Sequence, residues 1–178
     1  MPSKLLQKII LIFKVRELRN KILFVLAILV VFRIAANIPV PGVDIEKLKS
    51  FFADNQLFGL INIFTGGAMS NLSIAMLGLG PYITATIILQ LLTMIFPKLK
   101  EMYHESGPEG RRKFNQYGRI LTVPLAALQA YSMITLLQSQ QVVPHMLPMA
   151  LLTAIVVITG GAVFLMWLGE LISEKGIG

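Results

Sequence analysis

The chain has 178 residues, of which 55% are hydrophobic and only 14% charged, with a mean hydropathy of +0.72. Soluble domains carry roughly 25% charged residues, so a water-soluble globule is excluded as the simplest reading and a bilayer is the expected solvent. The absence of cysteine rules out disulfides and thiolate metal sites, and in a membrane chain a net charge of +7 speaks first to orientation rather than to nucleic acid.

Residues 1–21 alternate apolar and basic side chains (Lys4, Lys8, Lys14, Arg16, Arg19, Lys21) at roughly helical spacing. They read as an amphipathic segment lying on the membrane surface. The first span is placed at 22–40: ILFVLAILVVF at 22–32, passing Arg33 into IAANIPV. A cleaved leader is the competing reading, with Ala35-Ala36 as a weak cleavage site. Against it, the basic region is long and the helical pattern continues past the alanines. Arg33 is the sole charge in this span; it either meets a partner within a bundle or snorkels to the interface.

From Asn55 to Pro97 there is no Asp, Glu, Lys or Arg. As one helix this run would be about 65 Å long, more than a bilayer accommodates. It is interrupted at Thr65-Gly66-Gly67 and at Gly78-Leu79-Gly80-Pro81. The expectation is an outer loop at 41–71 containing a short helix, Leu57–Phe64, that enters and returns to the same surface. A full helix follows at 72–97, with Pro81 in a first turn, where its missing N–H costs little. Non-helical backbone at that depth requires shielding by protein or a wet cavity.

Residues 98–119, KLKEMYHESGPEGRRKFNQYGR, read as a polar, basic loop. Arg111, Arg112 and Lys113 suit either a topology anchor facing anionic lipid or a docking contact. The uncharged run 120–169 is split by QSQQVVPHMLP at 138–148 into spans at 120–137 and 147–169, with 138–146 as the connecting outer loop and 170–178 returning to the first side. The basic residues cluster before the first span, between the second and third, and at Lys175. That leaves Lys47 and Lys49 for the opposite face. Four spans with both ends cytoplasmic satisfy the positive-inside rule.

Catalytic patterns are missing from the sequence. His104 and His145 fall on opposite sides of the membrane by this topology, and there is no HExxH, GxSxG or glycine-rich phosphate loop. Neither enzymatic activity nor a cofactor or metal is expected. Leu79, Ile83, Thr86 and Gln90 share one helix face. An uncharged, part-polar stripe suits a wall touching water or a passing peptide, and it equally suits packing between helices.

Four segments, FRIAANIPVPGVD, FTGGAMSNLSIAMLGLGPYITATIILQLL, EGRRKFNQYGR and VFLMWLGELISEKGIG, occur in order across the chain. Together they resemble the first-helix exit, the plug and second helix, the next cytoplasmic loop and the end of the fourth helix of the SecY family. The resemblance implies an all-α membrane protein: four transmembrane helices plus a short re-entrant plug helix, forming the N-terminal half of a ten-helix inverted-repeat channel for unfolded secretory polypeptides. By that resemblance, Leu79 and Ile83 belong to an apolar pore ring, which seals by fit and by excluding water. Gly59, Leu60, Ile61, Asn62, Ile63, Phe64, Gly66 and Gly67 belong to the plug, and Thr84, Thr86, Ile87 and Gln90 border a lateral gate. It further implies SecE-like and SecG-like subunits, the motor ATPase SecA or a ribosome, the secretory substrate and membrane lipid as partners. Nucleic acid is met only through the ribosome, and the location is the bacterial plasma membrane. Because the family continues into a fifth helix after GIG, the chain reads as a part that does not translocate by itself. A half-repeat small-solute transporter or ion channel and a non-conducting membrane scaffold are the alternatives; the first should carry charged or strongly polar groups at mid-membrane, where this chain offers only Thr and Gln.

Overall fold

The computed structural model describes residues 15–41, 46, 48–50, 60, 63, 71–104 and 107–176. Among these, every regular element is helical: α1 (Arg16–Ala35), α2 (Gly80–Ile95), α3 (Pro97–His104), α4 (Gly107–Ser139) and α5 (Pro148–Lys175). α4 and α5 are each long and apolar enough to cross a membrane, and α2 with α3 makes a third candidate if the bent pair counts as one span. The protein is thus a multi-pass membrane protein.

α1 is different. It has 20 residues, but Arg16, Glu17, Arg19 and Lys21 occupy its start and Arg33 its last turn. The charge-free part, 22–32, measures about 16 Å against a hydrocarbon core of about 30 Å. The helix also stops at Ala35, short of the expected 40. Ala36 caps it, and the Asn37 amide donates to the Arg33 carbonyl at 2.7 Å.

The run from 55 to 97 is not one rod. Residues 71–79 are turns, with Leu72 at φ 41° and Gly78 at φ 57°. α2 starts on Gly80-Pro81, with Pro81 in the first turn as the sequence predicts. It ends before Phe96, whose extended backbone (φ −104°, ψ 110°) is what a residue preceding proline prefers. α3 then departs at 114° to α2.

The basic stretch 98–119, expected as a loop, is largely helical. α3 covers its beginning, and α4 starts at Gly107 rather than near 120. Gly110, Phe114 and Gly118 are buried there, continuing at four-residue intervals through Thr122, Ala126, Ala130 and Ile134. A step of four residues advances 40° around a helix of 3.6 residues per turn, so this buried stripe winds around α4. It meets α3 first, where the Tyr103 and Phe114 rings lie 4.7 Å apart. It next meets α2 at Gly118, beside Leu89, and then α5 at Ala130 and Ile134. Similarly, α5 continues past the expected 169 to Lys175.

Two clusters hold the bundle together. One joins Val40, Leu48, Leu72 and Met76 to the α4–α5 hairpin through Ile134, Leu137, Val143 and Ile158. The other packs α1 on α5 through Ile28, Ala35, Leu165 and Leu168, with Ala36 and Ala75 at its end. Between them the chain comes back to itself: Val40 N–H donates to Leu72 C=O (2.9 Å) and Ile74 N–H to Ile38 C=O (3.1 Å), forming an antiparallel bridge at Pro39 and Ser73. Residues 38–40 and 72–74 therefore lie side by side.

Candidate functional site

α2 has two opposite faces, each repeating every four residues. Pro81, Ala85, Leu89 and Thr93 are buried, whereas Leu79, Ile83, Ile87 and Leu91 are 40–56% exposed. The exposed side chains cover about 18 Å of helix length. At 100° per residue, Leu79, Ile83, Thr86, Ile87, Gln90 and Met94 fall within an arc of about 100°. Thr84 lies about 140° from Leu79, at the flank of that face. The structure therefore brings together all of the predicted ring and gate residues except Thr84.

The threonines on this helix bond to its own backbone. The Thr84 hydroxyl donates to the Gly80 carbonyl at 2.9 Å, and the Thr86 hydroxyl to the Tyr82 carbonyl at 2.5 Å. Both hydroxyls are satisfied by their own helix. The same pattern recurs at Thr122, Thr153 and Ser173. In apolar surroundings this is how a hydroxyl avoids an unpaired donor. The face is thus a mainly apolar wall with Gln90 as its exposed polar group.

Leu79, the N-cap of α2, lies over α5. A Cβ placed on Gly169 would sit 3.6 and 3.7 Å from its two methyl carbons, an ordinary contact distance. One residue further on, the Glu170 carboxylate accepts from Arg119 Nε on α4 at 2.7 Å, with Glu170 15% and Arg119 45% exposed. Sequence reasoning missed this pair. Its signal was present: Arg119 is the last charge before the uncharged run and Glu170 the first after it, so a helical hairpin returns them to one level. A closer approach occurs at Gly161, where an added Cβ would fall 1.8 Å from the Ile74 carbonyl oxygen. Only glycine admits the turn at 71–79 against α5.

Of the predicted plug residues, Leu60 and Ile63 are helical and exposed; Gly59, Ile61, Asn62, Phe64, Gly66 and Gly67 lie outside the described residues. Arg111, Arg112 and Lys113 are exposed on the first turns of α4. They do not form one patch. Arg111 and Arg112 line a groove with Pro108 and Asn115, whereas Lys113 shares another with Lys98, Glu101 and Glu109. Arg33 is exposed on the outer side of α1, beside Val30, Ile34, Asn37 and Ile38. His104 stacks edge-on to Tyr103 at the end of α3, and His145 lies in the α4–α5 connection, beyond the far end of α4.

Comparison with known proteins agrees with this architecture. The SecY family model matches residues 73–178. The protein translocase subunit SecY of Streptomyces galbus is 43% identical over 180 residues, covering 93% of this chain and 41% of that protein. The corresponding subunit of Corynebacterium glutamicum is 42% identical, covering 96% and 41%. That of Mycobacterium tuberculosis H37Rv is 40% identical, covering 91% and 40%. The chain spans about two fifths of the length of the curated relatives it matches.

Proposed function

This chain belongs to the SecY family, and from that premise we propose that it supplies one wall of a channel conducting unfolded secretory polypeptides across the bacterial plasma membrane and releasing apolar segments into lipid. The observation that carries the proposal is the exposed face of α2. An apolar helix whose buried face already serves its neighbours keeps Leu79, Ile83, Ile87 and Leu91 uncovered along about 18 Å. These side chains can close around an extended peptide by contact and exclude water without holding it, because dispersion contacts are weak singly and independent of sequence. Leu79 and Ile83 act as ring residues. Thr86, Ile87 and Gln90, with Thr84 at the flank, border the lateral opening, where an entering segment exchanges lipid for a part-polar surface.

In this reading the chain makes four crossings with both ends cytoplasmic. α1 completes its crossing by tilting and by letting Arg33 snorkel. Leu60, Ile63 and their neighbours form the plug. The bridge between 38–40 and 72–74 supports this, since an excursion whose two ends are hydrogen-bonded together enters and leaves on one side. SecE-like and SecG-like subunits, the motor ATPase SecA or a ribosome, and lipid complete the assembly, with Arg111 and Arg112 available to a cytoplasmic partner. The work is transport and not covalent chemistry.

The test places Cys at Ile83 in the complete channel and at successive sites in a stalled secretory polypeptide. Crosslinks from Ile83 to the polypeptide are expected. Crosslinks only from Met149 or Leu152, exposed on α5, would refute the assignment.

A further inference from the structure

We infer that Arg119 and Glu170 are positioning residues for Leu79, so that an ion pair between α4 and α5 sets how tightly the closed channel seals. This rests on the reading of Leu79 as a ring residue. Successive residues on a helix point about 100° apart. On α5, Glu170 points at α4 and is held there by Arg119 at 2.7 Å, while its neighbour Gly169 presents a bare backbone to the Leu79 methyls. Fixing the direction of Glu170 therefore fixes the rotation of α5 about its own axis, and with it the surface on which Leu79 rests.

The two partners are suited to this. Glu170 is largely shielded from solvent while Arg119 is more open, and a pair with one shielded member is costly to break, because an uncompensated charge remains. Arginine also offers a planar, permanently charged group whose direction is set along with its contact. Leu79, by contrast, is held at its backbone, where its carbonyl accepts from Ile83 N–H at 3.0 Å, but its apolar side chain can be held only by packing. The direction of that side chain depends on what it packs against. Trp167, Leu171 and Glu174 line the same recess around the pair.

The test uses the complete channel in lipid vesicles and reads two quantities: ion leak through the idle channel, and transport of a secretory protein carrying a defective signal. R119E and E170R alone are each expected to raise leak about tenfold, the scale of a pairwise coupling, and to relax signal discrimination. The swap R119E/E170R should bring leak back to within about twofold of the unaltered channel. A second variant leaves the ion pair intact: Gly169→Leu displaces Leu79 directly and should leak like the single charge changes. It also serves where those reduce channel yield. Leak unchanged in Gly169→Leu, or raised equally in the singles and in the swap, would overturn the inference. The Ile83 crosslink separates this from the parent reading: crosslinks present with unchanged leak reject the positioning role alone, whereas absent crosslinks reject both.

Discussion

The α4–α5 seam and the open face of α2 are built from similarly apolar sequence and meet opposite fates. Along the seam, Ala130, Ile134, Leu137, Ala154 and Ile158 are at most 1% exposed. On α2, Ile83, Ile87 and Leu91 remain about half exposed. Hydrophobicity cannot explain the difference, because lipid tails are as apolar as leucine and offer no drive for helices to associate. Side-chain size does. The seam carries Ala130 and Ala154 among its larger residues, and on α5 the tightest approach is Gly161 against the Ile74 carbonyl of the 71–79 turn, which leaves no room for a methyl group. The α2 face has no alanine or glycine among Leu79, Ile83, Thr86, Ile87, Gln90, Leu91 and Met94. In this chain the seam interleaves small residues with Ile134, Leu137 and Ile158, and the face without small residues is the one left uncovered.

The comparison can be broken where the seam is densest. Ile134→Ala should cost about 2–5 kcal/mol, read as a lowered unfolding midpoint in detergent; an unchanged midpoint would mean that the seam is not a packed core. Gly161→Ala is next, at about 1–3 kcal/mol, because the Ile74 carbonyl must move. If it unfolds like the unaltered protein, the close approach is relaxed in solution. Gln141, exposed in the turn after α4 at φ 58°, gives a smaller effect. Gln141→Gly removes a left-handed strain of about 1–2 kcal/mol but adds flexibility worth about 0.5–1 kcal/mol. The midpoint should rise slightly, and a fall would show that the hairpin turn depends on the Gln141 side chain. Ile87→Ser should stay within about 0.5 kcal/mol while reducing crosslinks between an apolar signal segment and α2. A large loss of stability there would show that the face is covered after all.

Much of this is legible in the sequence. The spans at 120–137 and 147–169, the break at 78–81 and the face shared by Leu79, Ile83, Thr86 and Gln90 follow from charge-free length, glycine–proline punctuation and helical spacing. The forward extension of α4 to Gly107 was not read, because the charges in EGRRKFNQYGR masked its pattern. Phe114 and Gly118 at four-residue spacing, with Glu109 and Lys113 as an i,i+4 pair, were the available signal. The bridge between Pro39 and Ser73 left no signal at all: two backbone hydrogen bonds across more than thirty residues have no periodicity. Among the described residues two helices, or three with the bent α2–α3 pair, meet the length requirement against four expected crossings: α1 falls short because Arg19, Lys21 and Arg33 shorten its apolar stretch, and α2 because it has only 16 residues before the 114° bend.

The winding contact stripe of α4 makes that helix a counting device. Its early turns engage α3, its middle α2 and its far half α5, each at a different azimuth. Deleting one residue near Leu121 would swivel all later contacts by about 100° against all earlier ones, so no rigid readjustment could satisfy both ends. Substitutions along α4 can be absorbed one position at a time, but its length cannot drift by a single residue, and homologous chains should align through this helix without gaps.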